Sequence, residues 1–312
     1  MFRYRSGMRN VLQDPATKVQ FAGHETFPLR LLWPKKAFEA VRGGAPLRTF
    51  QEHEAIARFG VGRNMAVSMR HWNIASGLIE EREGLLWPTA LATDILDDDG
   101  LDPFVEHPAT IWLTHWHIAS TPEMTTTPFY AFNALPGVDF DSEGLASELL
   151  RLVQERGWRA TRVTVKRDVE VFLRSYVRRT GALTEDAAEP LLAELGLVRE
   201  ARIGGWFEFV RGPKPTLPDG VFALALDQFW QRTGGDSTTL TAEQVTYEPG
   251  SPGRVFKLDE DSVVTRLMAL DAITDGSWSW TDTAGLRQVH RRRQPDWLGL
   301  LTRSYGRMAE AA

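Results

Sequence analysis

Met65, Met69, Trp72 and Ala75 fall at i, i+4, i+7 and i+10, the spacing that gathers side chains on one face of a helix. The pattern predicts a helix over 63–76, with Arg63, Asn64, Val67, Ser68 and His71 on the opposite, solvent-facing side. Phe50, Ile56 and Phe59 mark another helix over 50–59, and Gly60-Val61-Gly62 is a tight turn between the two. After Gly77, residues 78–87 read as two short strands around a polar turn. Helix, turn, helix and hairpin in that order predict a winged helix-turn-helix unit over 50–89.

Similar patterns recur along the chain. Helices are expected over 35–42, 108–119 and 143–157. Val165, Val169, Phe172, Leu173, Tyr176 and Val177 form an apolar stripe, with Lys166, Arg167, Arg174 and Arg178 on the other side and Thr164 placed to cap the helix. Residues 97–110 are acidic, and 121–138 are interrupted by Pro122, Pro128 and Pro136, so both stretches read as loops. A helix from Thr184 to Leu195, followed by strands over 197–203 and 206–210, makes a second helix-plus-hairpin unit. A third contains a helix over 221–232, the segment 241–245, a helix from about 259 to 273 capped by Asp259, and a hairpin through Trp278 and Trp280. The recurrence is architectural, without a fixed-period repeat. The expected fold class is mainly α with small β-hairpins (α+β), built of multiple winged helix-turn-helix-like units. Pro- and Gly-rich stretches near 135–143, 211–219 and 249–253 suggest an N-terminal domain over 1–138, a middle domain over 139–218 and a C-terminal one over 219–312.

Charge modifies this picture locally. The formal net charge is −5, so phosphate contacts must come from basic patches rather than from the whole molecule. One patch spans the arginines from Arg48 to Arg70, and the other is the run 287–293. They nominate Arg63, Asn64, Ser68, Arg70, His71, Arg291 and Arg292 as DNA contacts, since short polar and basic groups on a helix reach base edges and phosphates. The wing tip opposes this, with Glu80, Glu81 and Glu83 against Arg82 alone. Packing or protein contact is the alternative use of the same unit. The absence of cysteine excludes thiolate catalysis, iron–sulfur clusters and Cys-ligated zinc. No apolar run approaches the ~18 residues of a membrane span and the N-terminus lacks a signal-peptide pattern, so a cytoplasmic protein with no membrane association is expected. Most of the eleven tryptophans fall where core packing is expected.

Three residues are candidates for catalysis. His24 and Glu25, in Gly23-His24-Glu25-Thr26-Phe27, place an imidazole beside a carboxylate, and Asp168 adjoins Lys166 and Arg167. Phosphodiester cleavage needs a metal or a general base together with charge stabilisation at the phosphate, and a divalent metal, magnesium or manganese, is the candidate cofactor. Asp168 is equally a first-turn helix position where the dipole favours an acid, and Asp227 is similarly ambiguous. His115 and His117 point in different directions on a helix and read as core or capping residues. There is no Walker A phosphate loop.

FAGHETFPLR (21–30), WPKKAF (33–38), FGVGRNMAVSMRHWNIASGLIE (59–80), HPATIWLTHWHIA (107–119), KRDVEVFLRSYV (166–177), GRVFKLDEDSVV (253–264) and TAGLRQVHRR (283–292) resemble one bacterial family, the SspB-type proteins, formerly a domain of unknown function. The resemblance covers about residues 20–305. It implies a DNA-nicking component of a single-strand DNA phosphorothioation and phage-defence system, acting with sulfur-transfer and ATPase subunits. No catalytic signature transfers with it. A non-catalytic DNA-binding scaffold and a transcriptional regulator remain the alternatives.

Overall fold

The computed structural model describes residues 8–51, 53–178, 190–201, 204–235, 237–283 and 285–306. Its secondary structure is mixed α+β, with helices joined to small antiparallel sheets. The chain divides into two units, the larger made of 18–131 and 135–210, the other of 1–17, 132–134 and 211–312.

The larger unit begins with a loop over 18–32 and helix α1 (Trp33–Val41), whose Pro34 lies in the first turn, where a missing N–H costs nothing. Strand β1 (Ala45–Pro46) precedes α2 (His53–Phe59) and α3 (Arg63–Ala75). Of the predicted stripe, Met69, Trp72 and Ala75 are in the core and Met65 is half-buried. Strands β2 (Ile79–Arg82) and β3 (Leu85–Pro88) form the expected hairpin, turning at Glu83 and Gly84, both with positive φ. β1 adds to it, giving the order β1-β3-β2. Helices α4 (Ala90–Leu96) and α5 (Pro108–Ser120) follow.

Residues 126–133, expected to be loop, are instead helix α6 (Thr126–Asn133). Pro128 sits in the first turn, where it leaves no helical bond unmade, and Phe129, Tyr130, Ala131 and Phe132 are all buried. A run that is apolar on every side carries no helical period, which is why its pattern is silent. Strand β4 (Asp139–Asp141) leads into α7 (Ser142–Arg156), capped by Asp141. Helix α8 (Arg162–Tyr176) buries Val165, Val169, Phe172 and Tyr176 as predicted, but its cap is Thr161, not Thr164. The helix expected to begin at Thr184 lies outside the described residues over its first part; Leu191–Leu195 is a short 3-10 helix. β5 (Val198–Glu200) and β6 (Trp206–Phe209) pair as a hairpin, and β4 joins them in the order β4-β6-β5.

The other unit contains α9 (Asp219–Thr233), β7 (Thr239–Thr241), α10 (Ala242–Tyr247), α11 (Pro252–Val255), α12 (Glu260–Met268), α13 (Leu270–Ile273), β8 (Trp278–Thr283), β9 (Leu286–Arg291) and α14 (Trp297–Gly306). Asp259 caps α12 by accepting from Ser262 N, as its position predicted. The strand order is β7-β9-β8. In each described sheet a short first strand pairs with the second strand of a later hairpin.

Candidate functional site

The segment 22–27 has no hydrophobic period to guide it and follows an unusual path. Ala22, Glu25 and Thr26 have φ of +61°, +46° and +70°, a region in which a side chain costs roughly 1–2 kcal/mol per residue. Such a conformation persists only where surrounding contacts over-determine it, and here they do. Asp168, on the buried side of α8, accepts from Ala22 N (2.5 Å) and His24 Nε2 (2.9 Å) at Oδ1, and from Thr127 Oγ1 (2.9 Å) at Oδ2. Thr26 N donates to His24 Nδ1 (3.2 Å). From α3, Trp72 Nε1 donates to Phe27 O (2.8 Å), and Arg174 of α8 donates to Thr26 O (3.1 Å). The His24 ring stacks on Trp72 with centroids 5.9 Å apart.

These bonds define the state of the pair. A ring nitrogen that accepts a backbone N–H carries no proton, so Nδ1 of His24 is the bare nitrogen and Nε2–H donates to Asp168. Both imidazole nitrogens and both carboxylate oxygens are engaged. As it stands, the His24–Asp168 pair fastens the loop to α8. A cleft beside it, lined by Gln20, His24, Trp72, Asp168, Ser175 and Tyr176, has room for about one water (≈ 10 Å³).

His71 lies against the same loop. Its ring sits so close to Gly23 that a Cβ there would come within 2.4 Å of Nδ1, so only glycine fits. The ring is buried, and Nε2 has no hydrogen-bond partner among the described residues. Burial foremost pulls its pKa down to about 3, which leaves the ring neutral near pH 7.

The expected site residues therefore fall into separate groups. His24 and Asp168, 144 residues apart in sequence, meet directly. Glu25 is exposed on the same loop, and its carboxylate has no partner among the described residues. Arg63 and Asn64 are exposed in the first turn of α3, whose N-cap Gly62 provides no side-chain bond. Ser68 and His71 were expected to be exposed and are buried, because the 22–27 loop covers that face of α3. Arg70 is half-buried and donates to Leu47 O. Arg291 lies 4.9 Å over the Trp230 ring and 3.7 Å from Asp227, whose carboxyl burial pushes up. Arg292 is exposed, 3.9 Å from Asp271. Arg287 pairs with Glu260, and Arg293 donates to Asp275 O, so the 287–293 run is largely occupied by internal partners. Trp72 and Thr127 complete the loop's anchorage. The sequence marked the first only as core, and the second lay in a stretch read as loop.

These donors do not fit a magnesium site. Mg²⁺ takes oxygen ligands in near-octahedral geometry, whereas both Asp168 oxygens already accept hydrogen bonds. Among the described residues no group of three or more His, Asp or Glu could hold a metal ion.

A family model described as a protein of unknown function, DUF4007, matches residues 21–305. No curated protein matches the chain. Two solved structures share its fold. A magnesium ion-bound SspB crystal structure is 26% identical, with a TM-score of 0.81 over 96% of this chain and 97% of that one. An SspB crystal structure is also 26% identical, with a TM-score of 0.80 over 97% of each chain. The resemblance to SspB-type proteins thus extends over nearly the whole fold.

Proposed function

The chain belongs to the DUF4007 family, and from that membership and its SspB-like fold we propose that it is the DNA-binding, DNA-nicking component of a bacterial DNA phosphorothioation and phage-defence system. The observation that carries this reading is the near-complete overlap with SspB structures. In such a system it would open one strand for sulfur-transfer and ATPase partners.

The helix–turn–helix–hairpin over 50–89 is read as a winged helix that meets DNA through the N-terminus of α3. Arg63 and Asn64 are exposed there, and the first-turn amide groups of a helix attract phosphate. The hairpin contributes little, because Glu80 pairs with Arg82 (3.2 Å) and leaves Glu81 and Glu83 facing solvent. Ser68 and His71 act as supports of the covering loop rather than as base readers. Arg63→Ala is expected to weaken duplex binding several-fold and to lower the slope of log affinity against log salt by about 0.9, the value of one duplex phosphate contact. An unchanged slope in a salt titration would remove Arg63 from the interface.

For strand cleavage, Glu25 is the proposed general base, since it alone of the three candidates is exposed, and His24 and Asp168 are the positioning residues that hold its loop. Purified protein should convert supercoiled plasmid to open circles with Mg²⁺ or Mn²⁺ in the buffer. Glu25→Gln should slow that conversion by roughly 100-fold or more. Wild-type rates in Glu25→Gln would exclude it as the base. No open circles, where a control nickase succeeds in the same buffer, would favour the second reading, a non-catalytic DNA-binding scaffold. The full engagement of His24 and Asp168 supports that alternative.

A further inference from the structure

The unit that contains 211–312 holds a cluster of cations around the turn that ends α11. Gly212 N donates to Lys257 O (3.1 Å), which lays Arg211 beside the 254–257 turn. Lys257, with φ of +53°, is buried and sends Nζ to Phe132 O (2.5 Å), while Lys214 Nζ donates to Gly212 O and Lys257 O. Arg254 Nε donates to Tyr247 O (3.0 Å). Burial first, and then the charges of Arg211 and Arg254, hold Lys257 well below its usual pKa. Burial, followed by the Arg211 charge, lowers Arg254 as well. Neither arginine has a carboxylate partner among the described residues, in contrast to the paired Arg266 and Arg287 of the same unit.

Next to these cations lies an aromatic ring. Tyr247, the last residue of α10, is 47% exposed. Its hydroxyl donates to Glu260 Oε2 (2.9 Å), and Glu260 Oε1 accepts from Arg287 (2.7 Å). The ring is thereby fixed in place, and the Arg287 charge offsets the carboxylate that holds it. Two further acids lie close by: Asp259 accepts from Ser262 N and faces the Lys214 charge, and Glu248, which follows Tyr247, is buried.

We propose that Arg211, Arg254 and Tyr247 form a binding site for a single-stranded nucleic-acid segment, the guanidinium groups taking its phosphates and Tyr247 stacking on an unpaired base. Two like charges with no carboxylate partner among the described residues match a polyanion, and the half-exposed ring selects among polyanions. In a duplex the base faces are stacked on one another, whereas single strands offer them to aromatic side chains. This site rests on the nucleic-acid part of the proposed function, and on neither the α3 contact nor strand cleavage. In a nicking component it would hold the released strand.

The test is fluorescence anisotropy of the full chain with a labelled oligo(dT) and with a duplex of equal length, across a salt series. Arg211→Ala with Arg254→Ala should lower the single-strand salt slope by about 1.4, at roughly 0.7 per phosphate. Tyr247→Ala should weaken single-strand binding by about 5- to 150-fold, the range for one stacked base, while Tyr247→Phe, which keeps the ring and loses only the bond to Glu260, should lose clearly less than Tyr247→Ala. Duplex binding should respond to Arg63→Ala and little to these changes. If the double variant fails to fold, Arg211→Ala alone decides, since that side chain is exposed and has no partner among the described residues. Wild-type affinity and slope in the arginine variants, or no single-strand binding by the wild type, would overturn the site. An effect of Arg211 and Arg254 without one of Arg63 would support it and remove the α3 contact instead.

Discussion

Asp168→Ala is expected to be among the most damaging single substitutions in the larger unit, lowering its stability by about 3–5 kcal/mol. The carboxylate is buried and takes three donors, the Ala22 amide, the His24 ring and the Thr127 hydroxyl. Alanine removes every acceptor and leaves those donors unpaired in an apolar setting. The three left-handed residues of the loop then lose the contacts that offset their backbone cost. In a thermal melt the transition should fall by roughly 6–20 °C, taking 2–4 °C per kcal/mol. Limited proteolysis should open new sites within 20–30. Asp168→Asn, which keeps one acceptor oxygen, should be milder in both assays. A melting transition and cleavage pattern identical to wild type in Asp168→Ala would mean that the loop is held by something other than this carboxylate.

His71 should make stability fall on the acid side of neutrality. In the fold its pKa is near 3, while in the unfolded chain it titrates near 6.5. Between those values the unfolded chain binds a proton that the folded chain does not, so the stability contributed by the neutral ring is present above pH 6.5 and is lost as pH falls toward 3. The loss reaches about 2 kcal/mol at pH 5 and as much as ~5 kcal/mol at the acid limit, at 1.36 kcal/mol per pKa unit. Urea unfolding at pH 7 and pH 5 measures it, and His71→Gln, which cannot titrate, should show a pH dependence smaller by that amount. The same difference between the two pH values in wild type and His71→Gln would assign the effect to other groups. The cause is positional: the ring is pressed against Gly23, and among the described residues Nε2 has no partner that could accept from a second proton.

Features that neighbouring residues settle among themselves are legible along the chain. The Met69–Trp72–Ala75 stripe of α3, the apolar face of α8, the β2–β3 hairpin and the Asp259 cap are local, because spacing, turn residues and cap chemistry act over a few positions. Strands β1, β4 and β7 are two or three residues long, too short for an alternating pattern, and exist because a later hairpin offers them an edge. His24, Glu25 and Asp168 could be nominated from residue type, but not their roles. Only the tertiary structure brought His24 to Asp168, left Glu25 exposed and covered Ser68 and His71 with a loop distant in sequence. It also gave Arg291 to Asp227 and Trp230, removing it from the free surface. Polar side chains look alike in sequence whether they end in solvent or against a partner. Which surface arrives to meet them depends on how helices and sheets pack across long separations, and no local pattern records that.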